Sequence, residues 1–158
     1  MARARRAERH EYLAVEEYEA WNAVLAMNRV VVQALDDALR THHHLSVSEF
    51  DVLITLYNAP AHKLGMTDLA QRVMLSPSGL THLVTRLERD GLVARAVDDG
   101  DRRKFFTLLT DAGNERLRDA RPTHNDVLRR ELLAHLSGPQ RRALARMGRA
   151  VTGGDRPH

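Results

Sequence analysis

Apolar residues recur at the three-and-four spacing of amphipathic helices over most of this chain, and strand-like runs replace that spacing in one place. A long helical pattern runs from residue 12 to about 39, with Leu25, Val32, Leu35 and Leu39 among its inward positions, and a shorter one covers 48–57. Leu69, Ala70, Val73 and Met74 seat a short helix on the core, with Thr67 as its predicted N-cap and Leu75 as the turn after it. Ser76 and Pro77 open the next helix, because a serine oxygen accepts an orphan N–H and proline's fixed φ suits the first helical position. Its inward seam is Leu80, Leu83, Val84 and Leu87, and Gly91 ends it by taking a left-handed conformation.

Residues 92–96 and 104–109 are rich in strand formers, and the charged run Asp98-Asp99-Gly100-Asp101-Arg102-Arg103 between them predicts a hairpin. A further helical pattern from 111 to about 136 contains Pro122, which is expected to kink or break it. Ser137-Gly138-Pro139-Gln140 has the form of a capping box and starts a last helix through Leu144 and Met147. The fold class is therefore mainly α with a small β-hairpin wing, a winged helix-turn-helix with N- and C-terminal helices. The expected domains are a basic disordered tail (1–11), an N-terminal dimerisation helix (12–45), the winged helix-turn-helix (46–110), C-terminal dimerisation helices (111–152) and a disordered tail (153–158).

In such a module the start of the second helix lies in the major groove of duplex DNA, where bulky side chains would hold it away from the base edges. Ser76, Pro77, Ser78 and Gly79 suit that approach. Ser78, Thr81, His82 and Arg86 are the expected base readers, and Thr85 and Arg89 the expected phosphate contacts. At the hairpin tip Arg103 is expected to enter the minor groove, oriented by Asp101, with Arg102 as its substitute. Each motif alone is common. Their order and spacing make the combination specific.

The runs LSVSEFDVLITL, MTDLAQRVMLSPSGLTHLVTRLERDGLVAR and DDGDRRKFFTLLTDAG resemble the MarR family of bacterial winged-helix regulators over about residues 20–150. The family core is carried by Leu83, Leu87, Glu88, Gly91, Leu92, Val93 and Arg95, the wing by Asp101 and Arg103, and the exit by Leu109, Thr110 and Gly113. The resemblance implies an intertwined homodimer built from the terminal helices, acting as a repressor that a small aromatic or phenolic anion releases from DNA. Helices at both ends with apolar faces that a lone winged helix cannot cover argue for the same partner. A two-fold dimer would read inverted half-sites roughly 34–36 Å apart, so the operator should be a pseudo-palindrome. Trp21, Asp51 and Arg95 stand where the urate-responsive branch of the family places effector-binding residues, and Asn58 stands where that branch has an arginine.

Composition changes this picture little. A chain of 158 residues has room for one core, and the absence of cysteine removes disulfides, thiolate metal sites and a disulfide switch. No apolar run reaches the roughly 18–20 residues of a membrane span, and the arginine-bearing start lacks a signal peptide's apolar segment, so a cytoplasmic location is expected. The net charge of +3 is not concentrated on the module, where residues 63–104 hold eight Lys or Arg against six acids. Charge alone would not have found the site. No Gly-rich phosphate loop, G-x-S-x-G elbow or HExxH run occurs, so neither catalysis nor a required cofactor is expected. An enzyme or a non-DNA-binding adaptor is the remote alternative. Nine histidines raise zinc as an alternative signal: His124, Glu131 and His135 are spaced for one helical face, and His42 and His44 flank His43 in a consecutive run.

Overall fold

The computed structural model describes residues 12–73, 75–97 and 105–153. Met74, the hairpin-tip residues Asp101, Arg102 and Arg103, and the expected basic tail lie outside the described residues. Helix α1 (Val15–His43) is followed by α2 (Val47–Asn58), strand β1 (Lys63–Gly65), α3 (Met66–Val73), α4 (Pro77–Arg89), β2 (Val93–Val97), β3 (Phe105–Leu109), α5 (Asp111–Glu131) and α6 (Gly138–Thr152). The three strands form one antiparallel sheet in the order β1-β3-β2, with Arg95 opposite Thr107 and Leu64 opposite Thr107 on its other side.

Helix periodicity predicts the core closely. All four seam residues of α4, Leu80, Leu83, Val84 and Leu87, are buried, together with Leu69 and Ala70 of α3. They pack with Leu39, Phe50, Leu53, Leu56, Leu92 and Leu117, so one apolar cluster joins α1, α2, the helix-turn-helix and α5. Burying each such side chain is worth about 1.5–3 kcal/mol, which fixes α4 by its inner face and turns its outer face to solvent.

The helix ends follow local chemistry. Ser46 caps α2 by accepting from Glu49 N, while Glu49 Oε2 returns to accept from Ser46 N at 2.8 Å. Ser76 accepts from Gly79 N at 3.1 Å, and Pro77 is the first residue of α4. Gly91, at φ 74°, turns the chain out of α4, and Thr110 Oγ1 donates to the Gly91 carbonyl at 2.7 Å while accepting from Gly113 N at 3.0 Å. One threonine thus fastens the end of the recognition helix to the start of α5. Gln140 Oε1 accepts from both Ser137 N and Ser137 Oγ at 2.8 Å, as the capping pattern predicts.

Several expectations need correction. Thr67 is not an N-cap: α3 begins at Met66, directly out of β1, and Thr67 lies in its first turn. Strand β1 itself was not anticipated. Pro122 does not break α5, which is one helix through Glu131, a full turn short of the expected end. The chain then forms a 3₁₀ turn at Leu133–His135. Helix α1 starts three residues later than its pattern suggests and runs on to His43, with His44 capping it in the left-handed region at φ 54°. Every residue of α1 from Val15 to Val30 is exposed in the single chain, as is Val32, so Leu25 and Val32, which the periodicity places inward, both lie outside the core.

Candidate nucleic-acid interface

The outer face of α4 carries the residues expected to meet DNA. Ser76, Pro77, Ser78, Thr81, His82, Thr85, Arg86 and Arg89 are all exposed, opposite the buried leucine and valine seam. The face is narrow and low at its start: a Cβ on Gly79 would stand 3.1 Å from Ser76 Oγ, closer than side chains normally pack. Ser76 and Ser78 hydroxyls lie 3.3 Å apart, so the first turn presents a small cluster of donors and acceptors.

Two threonines are less available than the sequence suggests. Thr81 Oγ1 donates to the Pro77 carbonyl at 2.9 Å, the back-bonding habit of threonine in helices. Thr85 Oγ1 lies 2.9 Å from the Thr81 carbonyl and 2.8 Å from Arg95 Nη2. A guanidinium can only donate, so the Thr85 hydrogen goes to the helix and none remains for a phosphate oxygen. Thr85 is therefore committed within the protein rather than free to donate outward. Among the described residues Arg89 pairs with its neighbour Asp90, at 3.0 Å, and its side chain is 72% exposed.

Glu49 was missed by sequence reasoning. Arg86 Nη2 lies 2.8 Å from Glu49 Oε1, across 37 positions of sequence. The Ser46-x-x-Glu49 pattern marks Glu49 as a capping residue, but nothing in the chain signals its second partner.

Of the three expected effector residues, Arg95 lines a cleft beside the wing. Arg95 pairs with Glu88 Oε2 at 3.4 Å and lines a cleft of about 250 Å³ with Met66, Thr81, Phe105, Phe106 and Thr107. Neither Trp21 nor Asp51 lines it. Trp21 is 53% exposed on α1, and Asp51 is exposed on α2.

The expected zinc residues fall on separate elements. His135 lies in the 3₁₀ turn beyond the end of α5, so it does not continue the helical face of His124 and Glu131. His124 stacks on Phe50 at 4.4 Å, and Glu131 pairs with Arg130 at 2.7 Å. His42 meets His43 edge-on at 6.4 Å, and His44 serves as the cap of α1. Among the described residues no group of three His, Cys, Asp or Glu could hold a metal ion. No helix among them is long and apolar enough to cross a membrane.

A sequence model described as the MarR family matches residues 45–105, from just before α2 to the start of β3. The chain is similar to the transcriptional repressor YetL of Bacillus subtilis, at 38% identity over 51% of this chain and 48% of that protein. It is also similar to the homoprotocatechuate degradative operon repressor of Escherichia coli, at 30% identity over 66% of this chain and 64% of that one. The matched stretches thus span about half to two thirds of those curated relatives. Sco3205 of Streptomyces coelicolor, a MarR family transcriptional regulator solved in complex with DNA, superposes with a TM-score of 0.84 at 31% identity, covering 93% of this chain and 92% of that one. These relatives are regulators and not enzymes, and the likeness to Sco3205 extends over nearly the whole of both chains. The chain belongs to the MarR family.

Proposed function

We propose that the protein is a homodimeric transcriptional repressor that grips a pseudo-palindromic operator with α4 and its wing. The observation that carries this reading is the division of α4: one face is fully buried in the core, and the other presents Ser76, Ser78, Thr81, His82, Arg86 and Arg89 to solvent. The DNA-bound structure of Sco3205, which matches over 92% of its solved chain, supports it. In this reading Ser78, His82 and Arg86 read base edges, Arg89 contacts phosphate, and Arg103, oriented by Asp101, enters the minor groove, with Arg102 as its substitute.

The dimer rests on α1. Tyr18, Trp21, Val24, Leu25 and Val30 are all about half exposed in the single chain, an apolar stripe that water would not stabilise and a second copy would cover. Release by a small aromatic or phenolic anion is the regulatory half of the proposal, supported by the relative whose name ties it to an aromatic degradative operon. The experiment is selection of genomic fragments by the purified protein, followed by gel shifts with salicylate, urate or zinc added separately. A selected inverted repeat released by one anion supports the proposal, and a protein that selects no fragment overturns it.

A further inference from the structure

We infer that Glu49 is a positioning residue for DNA recognition: its fixed carboxylate holds the Arg86 guanidinium in the orientation in which Arg86 meets the operator. The inference rests on the DNA-binding reading of α4 given above.

The two oxygens of Glu49 do separate jobs. Oε2 accepts from Ser46 N at 2.8 Å and from Ser46 Oγ at 2.9 Å, closing the cap of α2. Oε1 accepts from Arg86 Nη2 at 2.8 Å. The carboxylate is thereby tied to the α2 cap independently of Arg86, and its side chain is only 12% exposed against 53% for Arg86. The platform beneath it is anchored as well: Val47 N, at the first position of α2, donates to Asp36 Oδ1 of α1 at 2.9 Å. Asp36 is itself held by Arg40 Nε at 2.6 Å.

Such a pair does little for the fold, because an ion pair with one half-exposed member contributes little to stability. It does much for a binding face. Arginine has long, rotamer-rich reach, and a guanidinium already fixed through one nitrogen loses less freedom when its remaining N–H donors engage DNA. Arg86 stands on the exposed face of α4 one turn beyond His82, so what Glu49 fixes is a group that the operator would otherwise have to order.

Glu49→Gln separates the two jobs. Glutamine at this position still closes a capping box, but it offers no charge to Arg86. Affinity for the selected operator and for unrelated DNA is measured at fixed salt for the wild type, Glu49→Gln, Arg86→Ala and the double variant, with thermal unfolding of all four. The expected result is a loss of about threefold to tenfold in operator affinity for Glu49→Gln, no loss on unrelated DNA, and less than about twofold further change when Arg86 is already alanine. Tighter operator binding by Glu49→Gln, an equal loss in both backgrounds, or the same coupling in melting temperature overturns the inference. Wild-type protein that selects no DNA overturns the regulatory reading itself, whereas a wild type that binds with additive variants leaves that reading in place and removes only Glu49's role.

Discussion

Arg95 donates from Nη2 to Thr85 Oγ1 at 2.8 Å and pairs through Nε with Glu88 Oε2 at 3.4 Å, so the first strand of the wing is fastened to the recognition helix at two points. Both ion-pair members are over a third exposed, and their loss should change stability by less than about 1 kcal/mol. The wing would nonetheless be freer relative to α4. Arg95→Ala is expected to weaken operator binding roughly threefold to tenfold, the scale of one surface pair and one hydrogen bond, with near-native thermal unfolding. Fluorescence anisotropy at fixed salt measures it, and unchanged affinity would show that the wing needs no such brace.

Arg103 is the expected minor-groove contact of the wing. Arg103→Ala should reduce operator affinity by more than about tenfold without unfolding the protein, since a minor-groove arginine draws on concentrated negative potential. Anisotropy with paired melting curves checks this, and equal affinity would refute the wing assignment.

Gly113 sits in the first turn of α5, where its amide is held by Thr110 Oγ1. A Cβ there would run into the Leu92 backbone carbonyl and stand 2.8 Å from Leu109 Cδ1. Alanine normally favours a helix over glycine by about 1 kcal/mol, so the prediction reverses the usual sign. Gly113→Ala should destabilise the fold by about 2 kcal/mol or more, read by chemical denaturation; an equal or higher midpoint would contradict the close approach.

His43 Nε2 lies 2.8 Å from Thr123 Oγ1, at the junction of α1 and α5. Burial, first, holds its imidazole below the ordinary value of 6.5; His42, Arg116 and His44 act in the same direction and Asp119 against it. The unfolded chain therefore takes up a proton at pH values where the native ring stays neutral. The stability from neutral His43 is complete above about 6.5 and is lost as pH falls through the lower native value. His43→Gln should flatten the fall of melting temperature below that point. Wild-type and variant slopes that coincide would remove His43 as the cause.

Much of this fold was legible because helix periodicity reports burial directly. Leu80, Leu83, Val84 and Leu87 repeat at helical spacing and are all in the core. Strand β1 was not legible, since the three residues Lys63–Gly65 are too few to show alternation and become a strand only by pairing with β3. The end of α5 was misplaced because Leu132, Leu133 and Leu136 carry the apolar pattern past the last helical turn. In the site, exposure of the α4 face followed from its buried opposite, whereas the Glu49–Arg86 and Thr85–Arg95 partnerships are tertiary contacts with no sequence signature.

The central claim is that two copies of α4 read one inverted repeat. Genomic fragment selection by the wild-type protein, followed by titration of the enriched site across salt concentrations, tests it most directly. The account predicts an inverted repeat with half-site centres roughly 34–36 Å apart, two chains bound per site, and log affinity falling linearly with log salt. Enrichment of no fragment over competitor DNA, or one chain bound to a site without two-fold symmetry, would contradict it.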